Sequence, residues 1–142
     1  MRICFDLDET LCYGHPYKTA KPIPGRADML ASLKEQGHTV IIYTARYMTT
    51  CENNVGKVVK NIGKLTLDQL DEWGFEYDEI YFGKPNADIY VDDKALHVSG
   101  INNIHSLVNV IEARRHNVDL SIDSKCDKIN ELIAKIDSIQ EK

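Results

Sequence analysis

The feature that most limits how this chain can fold is the alternation of short apolar runs with helical patterns. Apolar, often β-branched runs at residues 3–6, 38–44, 79–83 and 87–91 are typical of buried strands. Helical patterns occupy residues 25–36, 49–62 and 103–115, and Thr66 to Gln69 fits the capping box of a further short helix that ends at Gly74. Strands that alternate with helices predict an α/β fold whose parallel sheet is joined by right-handed crossovers.

The size and composition of the chain exclude several classes of protein. Its 142 residues are enough for one domain that buries a core without disulfides or structural metals. The net charge of −5 argues against nucleic acid as a partner, and no apolar run has the length of a membrane span. Four scattered cysteines without a paired spacing predict reduced thiols in a cytoplasmic protein rather than a zinc site.

Two carboxylates, Asp6 and Asp8, stand where the first apolar run ends. Charge at the end of a buried strand is costly unless a cation or a hydrogen-bond network offsets it. Asp6 could attack phosphorus and carry the phosphoryl group, while Asp8 could protonate the leaving oxygen and then activate water. The competing interpretation is a helix cap or a solvated turn. The pattern favours a magnesium-dependent site for phosphoryl transfer.

Polar residues also follow the second predicted strand. The hydroxyl of Thr44, beside the amides of Ala45 and Arg46, could hold a phosphate oxygen, although a strand-end threonine is common without such a role. The guanidinium of Arg46 could clamp a substrate anion with two parallel hydrogen bonds, and a surface arginine is the competing interpretation.

The last two predicted strands end in charged residues. Lys84 follows the third strand and could neutralise both the nucleophile and the transferring phosphoryl group. Asp92 and Asp93 follow the fourth strand and could complete an oxygen-rich magnesium shell. Ligands of parallel α/β sheets bind beyond the carboxyl ends of the strands, so we expect these residues to meet Asp6 and Asp8 there.

This ordered set of motifs resembles that of the haloacid dehalogenase superfamily of phosphohydrolases. The matching residues are Asp6-Leu7-Asp8-Glu9-Thr10, then Thr44, then Lys84, then Asp92-Asp93. The resemblance implies a three-layer α/β/α, Rossmann-like parallel sheet, with Asp6 as nucleophile, Asp8 as acid and base, and Lys84 in catalysis. It implies substrate contacts at Thr10, Thr44, Ala45, Arg46 and Lys84. It also implies that Mg²⁺ is held by Asp6, Asp8, Asp92 and Asp93.

The chain is most similar to members of that superfamily without a cap domain. Residues 10–25 have room only for a small flap, and residues 44–84 are filled by the predicted helices and a strand. The expected organisation is a phosphatase core at residues 1–116, followed by a helical extension at residues 117–142. An amphipathic helix at residues 124–142 either packs back on the domain or joins two copies in a homo-oligomer.

The resemblance extends to small bacterial phosphatases linked to capsule or surface-sugar biosynthesis. It implies hydrolysis of a small phosphorylated metabolite through an aspartyl-phosphate. Three alternatives stay open: a phosphoprotein phosphatase, a nucleic-acid end phosphatase, and a catalytically silent binding or assembly module.

Overall fold

The computed structural model describes residues 1–100 and 107–111. The chain divides into two compact units, Met1–Ile104 and His105–Lys142. In the second unit residues 107–111 are helical, as expected, and bury Leu107 and Ile111. Three predictions lie outside the described residues. They are the boundary between residues 116 and 117, the helical extension, and any oligomer contact made by residues 124–142.

A parallel sheet forms the centre of the first unit. The strands of the described residues are β1 (Arg2–Asp6), β2 (Cys12–Tyr13), β3 (Lys21–Pro22), β4 (Thr39–Thr44) and β5 (Glu79–Phe82). β1, β4 and β5 pair in parallel in that order, and β2 pairs with β3 in a small antiparallel hairpin. The sheet order equals the chain order, as in one half of a Rossmann-like sheet. The predicted α/β fold class with a parallel, Rossmann-like sheet is confirmed.

The central position of β4 follows from its sequence. A strand with a neighbour on each edge and cover on both faces has no side in water, so its sequence is apolar throughout. β4 fits this description, since it buries Val40, Ile41 and Ile42. In register, Phe5 of β1 lies opposite Ile42, which lies opposite Ile80 of β5. This register brings the carboxyl ends of the three strands to one edge of the sheet.

The first crossover contains the flap and one helix. The hairpin of β2 and β3 is the flap expected after Thr10, and it leads into α1 (Arg26–Glu35). α1 buries Met29, Leu30 and Leu33. Gly37 follows the end of the helix as the predicted stop. Its left-handed φ of +76° lets the next amide, that of His38, donate back to the carbonyl of Leu33 at 3.0 Å.

The second crossover differs from the prediction. Residues 49–53 are turns, and a continuous helical segment follows, made of α2 (Val55–Val58), a π-helical turn (Val59–Gly63) and α3 (Lys64–Glu72). Asn54 caps its start by accepting from the Lys57 amide at 3.0 Å. The predicted cap at Thr66 is wrong, because Thr66 is buried inside the segment and its hydroxyl donates to the carbonyl of Ile62 at 3.0 Å. The segment ends near Gly74, as predicted.

The fourth predicted strand is also wrong. Residues 87–91 belong to no strand, and β1 pairs only with β4 among the described residues. Ile89, Tyr90 and Val91 are exposed. A strand exists only where a neighbour takes up its backbone N–H and C=O groups, and an apolar run by itself does not supply that neighbour.

Two further findings concern the described residues alone. Cys4, Cys12 and Cys51 form no disulfide. None of the helices in this part of the chain has both the length and the apolar character needed to cross a membrane.

Candidate active site

A cavity of about 280 Å³ opens where β1, β4 and β5 end. Asp6, Asp8 and Lys84 are in its wall, together with the aromatic side chains of Tyr17 and Tyr47. All of them belong to the first compact unit. The cavity therefore contains three of the predicted catalytic residues at the predicted edge of the sheet.

Asp6 and Lys84 form an ion pair in this cavity. The Lys84 ammonium lies 3.0 Å from Oδ2 of Asp6, and the side chains are 16% and 33% exposed. The loop after β5 holds Lys84 in place, because the amides of Gly83 and Lys84 both donate to the carbonyl of Thr44, at 3.3 and 3.1 Å. The Lys84 ammonium also lies 4.6 Å from the centre of the Tyr90 ring. The sequence prediction that Lys84 meets Asp6 agrees with these contacts.

Asp8 is paired with Arg46. The Arg46 side chain is fully buried, whereas that of Asp8 is 27% exposed. Nε of Arg46 donates to both carboxylate oxygens of Asp8, at 3.0 and 3.1 Å, and Nη2 donates to Oδ1 at 2.9 Å. A hydrogen-bonded pair of opposite charges is what makes a buried guanidinium tolerable.

The rest of the Arg46 guanidinium is held by three other residues. Nη1 donates to Oε1 of Gln69 at 2.8 Å and to Oγ1 of Thr66 at 3.3 Å, and Nη2 also contacts the sulfur of Cys12 at 3.4 Å. A guanidinium carries five N–H groups, and each of them here faces a protein acceptor. The sequence predicted that Arg46 clamps a substrate anion. In the structure its donors face protein acceptors, although Arg46 also lies in the cavity wall, so the substrate contact stays a prediction.

The flap is joined to the same network. Nε2 of Gln69 donates to the carbonyl of Tyr17 at 2.6 Å, and the Arg46 guanidinium lies 4.9 Å from the centre of the Tyr17 ring. Burial, followed by the nearby Asp8 carboxylate, raises the pKa of the Tyr17 phenol. The same two causes, in that order, raise the pKa of the Cys12 thiol to about 12, so this thiol stays neutral at physiological pH.

Only some of the remaining residues predicted to contact the substrate line the cavity. Ala45 lies in the cavity wall. Thr44 is fully buried, and its hydroxyl oxygen accepts the amide of Arg46 at 3.1 Å. Neither Thr44 nor Thr10 is among the described residues that line the cavity. Their contact with a phosphate stays a prediction.

The predicted metal-binding acids are not brought together. Asp92 and Asp93 are exposed and do not line the cavity, and Asp92 accepts the amide of Lys94 at 2.6 Å. Within residues 1–100 and 107–111, no group of three or more His, Cys, Asp or Glu side chains is placed to hold a metal ion. Asp6 and Asp8 offer carboxylate oxygens, but two acids that are each paired with a cation do not make up a magnesium shell.

Sequence reasoning missed Thr66 and Gln69 as partners of the site. Their spacing of three residues was interpreted as a capping box, but the same spacing also places two side chains on one face of a helix.

A second missed feature is backbone strain beside the ion pair. Glu9 and Tyr47, which directly follow Asp8 and Arg46, both have a φ of 59°, which is uncommon for residues other than glycine.

Comparison with known proteins places the chain in a family. No protein-family model and no curated protein matches it. The solved structure of an MCSG target protein from Vibrio cholerae is 32% identical, with a TM-score of 0.64, and the match covers 76% of this chain and 96% of that chain. The chain belongs to the same family as this Vibrio cholerae protein.

A second solved structure is more distant. It is a D,D-heptose 1,7-bisphosphate phosphatase from B. bronchiseptica in complex with magnesium and phosphate. It is 19% identical to this chain with a TM-score of 0.41, and the match covers 84% of this chain and 65% of that chain. This chain therefore spans slightly less than two thirds of that phosphatase.

Proposed function

We propose that this chain is a phosphomonoester hydrolase of the haloacid dehalogenase type, in which Asp6 carries the phosphoryl group. One observation carries the proposal: Asp6 is paired with Lys84 at 3.0 Å, beside Asp8, in a cavity at the carboxyl ends of three parallel strands. The order of motifs along the chain, from Asp6 through Thr44 and Lys84 to the acidic pair, supports the same chemistry.

The residues of this site divide the reaction into two displacements. Asp8 enters the first displacement protonated. An oxygen of Asp6 attacks phosphorus while the bond from phosphorus to the leaving oxygen breaks, and Asp8 gives its proton to that oxygen. Water then attacks the phosphorylated Asp6, gives its proton to the Asp8 carboxylate, and releases phosphate. Lys84 offsets negative charge on Asp6 and on the transferring group in both displacements.

We further propose that Mg²⁺ binds at the Asp6 carboxylate and the backbone carbonyl of Asp8, together with Asp92 or Asp93. Such an ion, when bound, would reduce the repulsion between the nucleophile and the phosphate. The assignment requires residues 87–93 to take a position different from the one in the structure, and the unpaired edge of β1 offers such a position within the described residues. Calorimetric titration with Mg²⁺ tests it: Asp92→Asn or Asp93→Asn should weaken binding, and unchanged binding in both would contradict it.

For the substrate we propose a small phosphorylated metabolite, with capsule or surface-sugar biosynthesis as its source and the cytoplasm as its location. The cavity of about 280 Å³ suits a small molecule. A phosphoprotein is the alternative substrate. A nucleic-acid end is disfavoured by the net charge of −5. Phosphate release across sugar phosphates, nucleotides and a phosphopeptide would rank these classes.

The decisive experiment measures phosphate release by the full chain with Mg²⁺ present. Asp6→Asn should abolish the activity, whereas Asp68→Asn, at an exposed acid paired with Lys64, should retain it. Mass spectrometry of acid-quenched wild type should find a phosphate adduct on the peptide that contains Asp6. A wild type that binds phosphorylated compounds but releases no phosphate and forms no adduct would favour the binding-module alternative.

A further inference from the structure

We propose that Arg46 is a positioning residue that fixes the Asp8 carboxyl so that Oδ2 is the oxygen that exchanges its proton with the leaving group. The proposal rests on the proposed function, because it concerns the proton-transfer half of that reaction. In the structure the donors of Arg46 contact Asp8, Gln69 and Thr66.

The contacts of the two Asp8 oxygens are unequal. Oδ1 accepts from Nε of Arg46 at 3.0 Å and from Nη2 at 2.9 Å, and the sulfur of Cys12 lies 3.5 Å away. Among the described residues, Oδ2 accepts only from Nε, at 3.1 Å, on a hydrogen that it shares with Oδ1. Oδ1 is therefore the anchored oxygen, and Oδ2 keeps the free lone pair on which a proton can sit while the contacts to Oδ1 persist.

Arg46 can act as an anchor because it is itself immobilised. Its side chain is 0% exposed, and its outer nitrogens are held by Gln69 at 2.8 Å, Thr66 at 3.3 Å and Cys12 at 3.4 Å. Arginines are seldom buried without a charged partner, and the partner here is Asp8.

The π-helical turn bears on the same network. α3 presents Thr66 and Gln69 on its buried side, and the turn at Val59–Gly63 directly precedes it. A π turn adds one residue to a helical turn and so rotates the face that all later residues present. The turn therefore places both Arg46 partners on the side of the helix that faces the site.

The ion pair also has a chemical consequence. When Asp8 has given its proton to the leaving oxygen, it becomes a carboxylate beside a fixed cation, and Arg46 stabilises that charge. Water returns the proton in the second displacement. The contribution of Arg46 to kcat/KM should thus be larger for a substrate whose leaving group needs a proton.

That dependence gives the test. We would measure kcat/KM, which reports the displacement at Asp6, for p-nitrophenyl phosphate and for ethyl phosphate. The variants are Arg46→Lys, Arg46→Met and the exposed-arginine control Arg2→Met, whose side chain is 60% exposed. For both Arg46 variants we expect a loss of about 100-fold with ethyl phosphate but less than about tenfold with p-nitrophenyl phosphate, because only the alkoxide leaving group needs the proton.

Further variants complete the design. Asp8→Asn should show the same selectivity between substrates, and adding Arg46→Lys to it should change the ratio no further, because both act on one proton. Should Arg46→Met not fold, Thr66→Val loosens Nη1 without touching the ion pair, and we expect a smaller shift in the same direction. Arg2→Met should leave the ratio unchanged.

Equal losses on both substrates in the Arg46 variants would show that Arg46 only supports the fold, and would overturn the inference while leaving the hydrolase proposal intact. A wild type inactive on both substrates would overturn the hydrolase proposal and this inference with it.

Discussion

Gln69 is the residue whose replacement most directly tests the buried network around Arg46. It is 5% exposed, accepts from Nη1 of Arg46 at 2.8 Å and donates to the carbonyl of Tyr17 at 2.6 Å. Gln69→Leu has a similar volume, so it removes both hydrogen bonds without opening a cavity. It leaves one guanidinium N–H without its partner, while the Tyr17 carbonyl keeps the amide of Ala20 at 3.2 Å.

The expected cost follows from these two bonds. A hydrogen bond to a charged group contributes about 1.5–3 kcal/mol, and an ordinary one contributes about 1 kcal/mol. We therefore expect Gln69→Leu to lower the free energy of unfolding by about 3 kcal/mol. For a chain of this length that loss corresponds to a fall in Tm of about 10 °C.

Urea denaturation followed by circular dichroism measures this change, with an unaltered m-value as the sign that the compactness of both states is unchanged. Gln36→Leu is the matched control. Gln36 is exposed, and its amide donates only to Ser32 at 3.2 Å, so we expect a change within about 0.5 kcal/mol. A Gln69→Leu value as small as that of the control would refute the argument that Arg46 depends on Gln69.

Three further predictions concern glycines, a thiol and the lysine of the site. Gly63→Ala should raise the free energy of unfolding by about 0.5–1 kcal/mol, because its φ is helical and the added Cβ only touches a valine at 3.4 Å; Gly83→Ala, with a φ of +109° and a valine carbon at 3.0 Å, should lower it. A less stable Gly63→Ala or a more stable Gly83→Ala in urea denaturation would contradict the corresponding prediction. The raised pKa of Cys12, about 12 against an ordinary 9.0, means that the unfolded thiol ionises first, so the stability of wild type relative to Cys12→Ala should fall as pH rises from 9.0 towards 12; a difference in urea midpoint that is flat with pH would count against it. Lys84→Met should lower kcat for phosphate release by about 100- to 1000-fold, and a steady-state kcat near that of wild type would remove Lys84 from catalysis.

The local parts of the fold could be predicted from the sequence, because they depend on residues close together in the chain. The apolar runs that became β1, β4 and β5, the buried stripe of α1, and the turn at Gly37 all follow from side-chain periodicity and backbone freedom. The meeting of Asp6 with Lys84 was also predictable, since parallel strands in chain order bring their carboxyl ends to one edge.

Only the tertiary structure decided what depends on which elements touch. Arg46 was interpreted as a clamp or a surface residue, but the approach of α3 and the flap buries it against Asp8. The pattern at Thr66 was interpreted as a helix cap, but in the structure its hydroxyl oxygen accepts from the buried guanidinium of Arg46.

Residues 87–91 have the composition of a strand but no neighbouring strand in the described residues, so they leave Asp92 and Asp93 in solvent. The physical reason is common to these cases. Periodicity determines the backbone shape that a segment prefers, whereas hydrogen-bond partners and burial come from residues distant in the chain, and no local pattern specifies them.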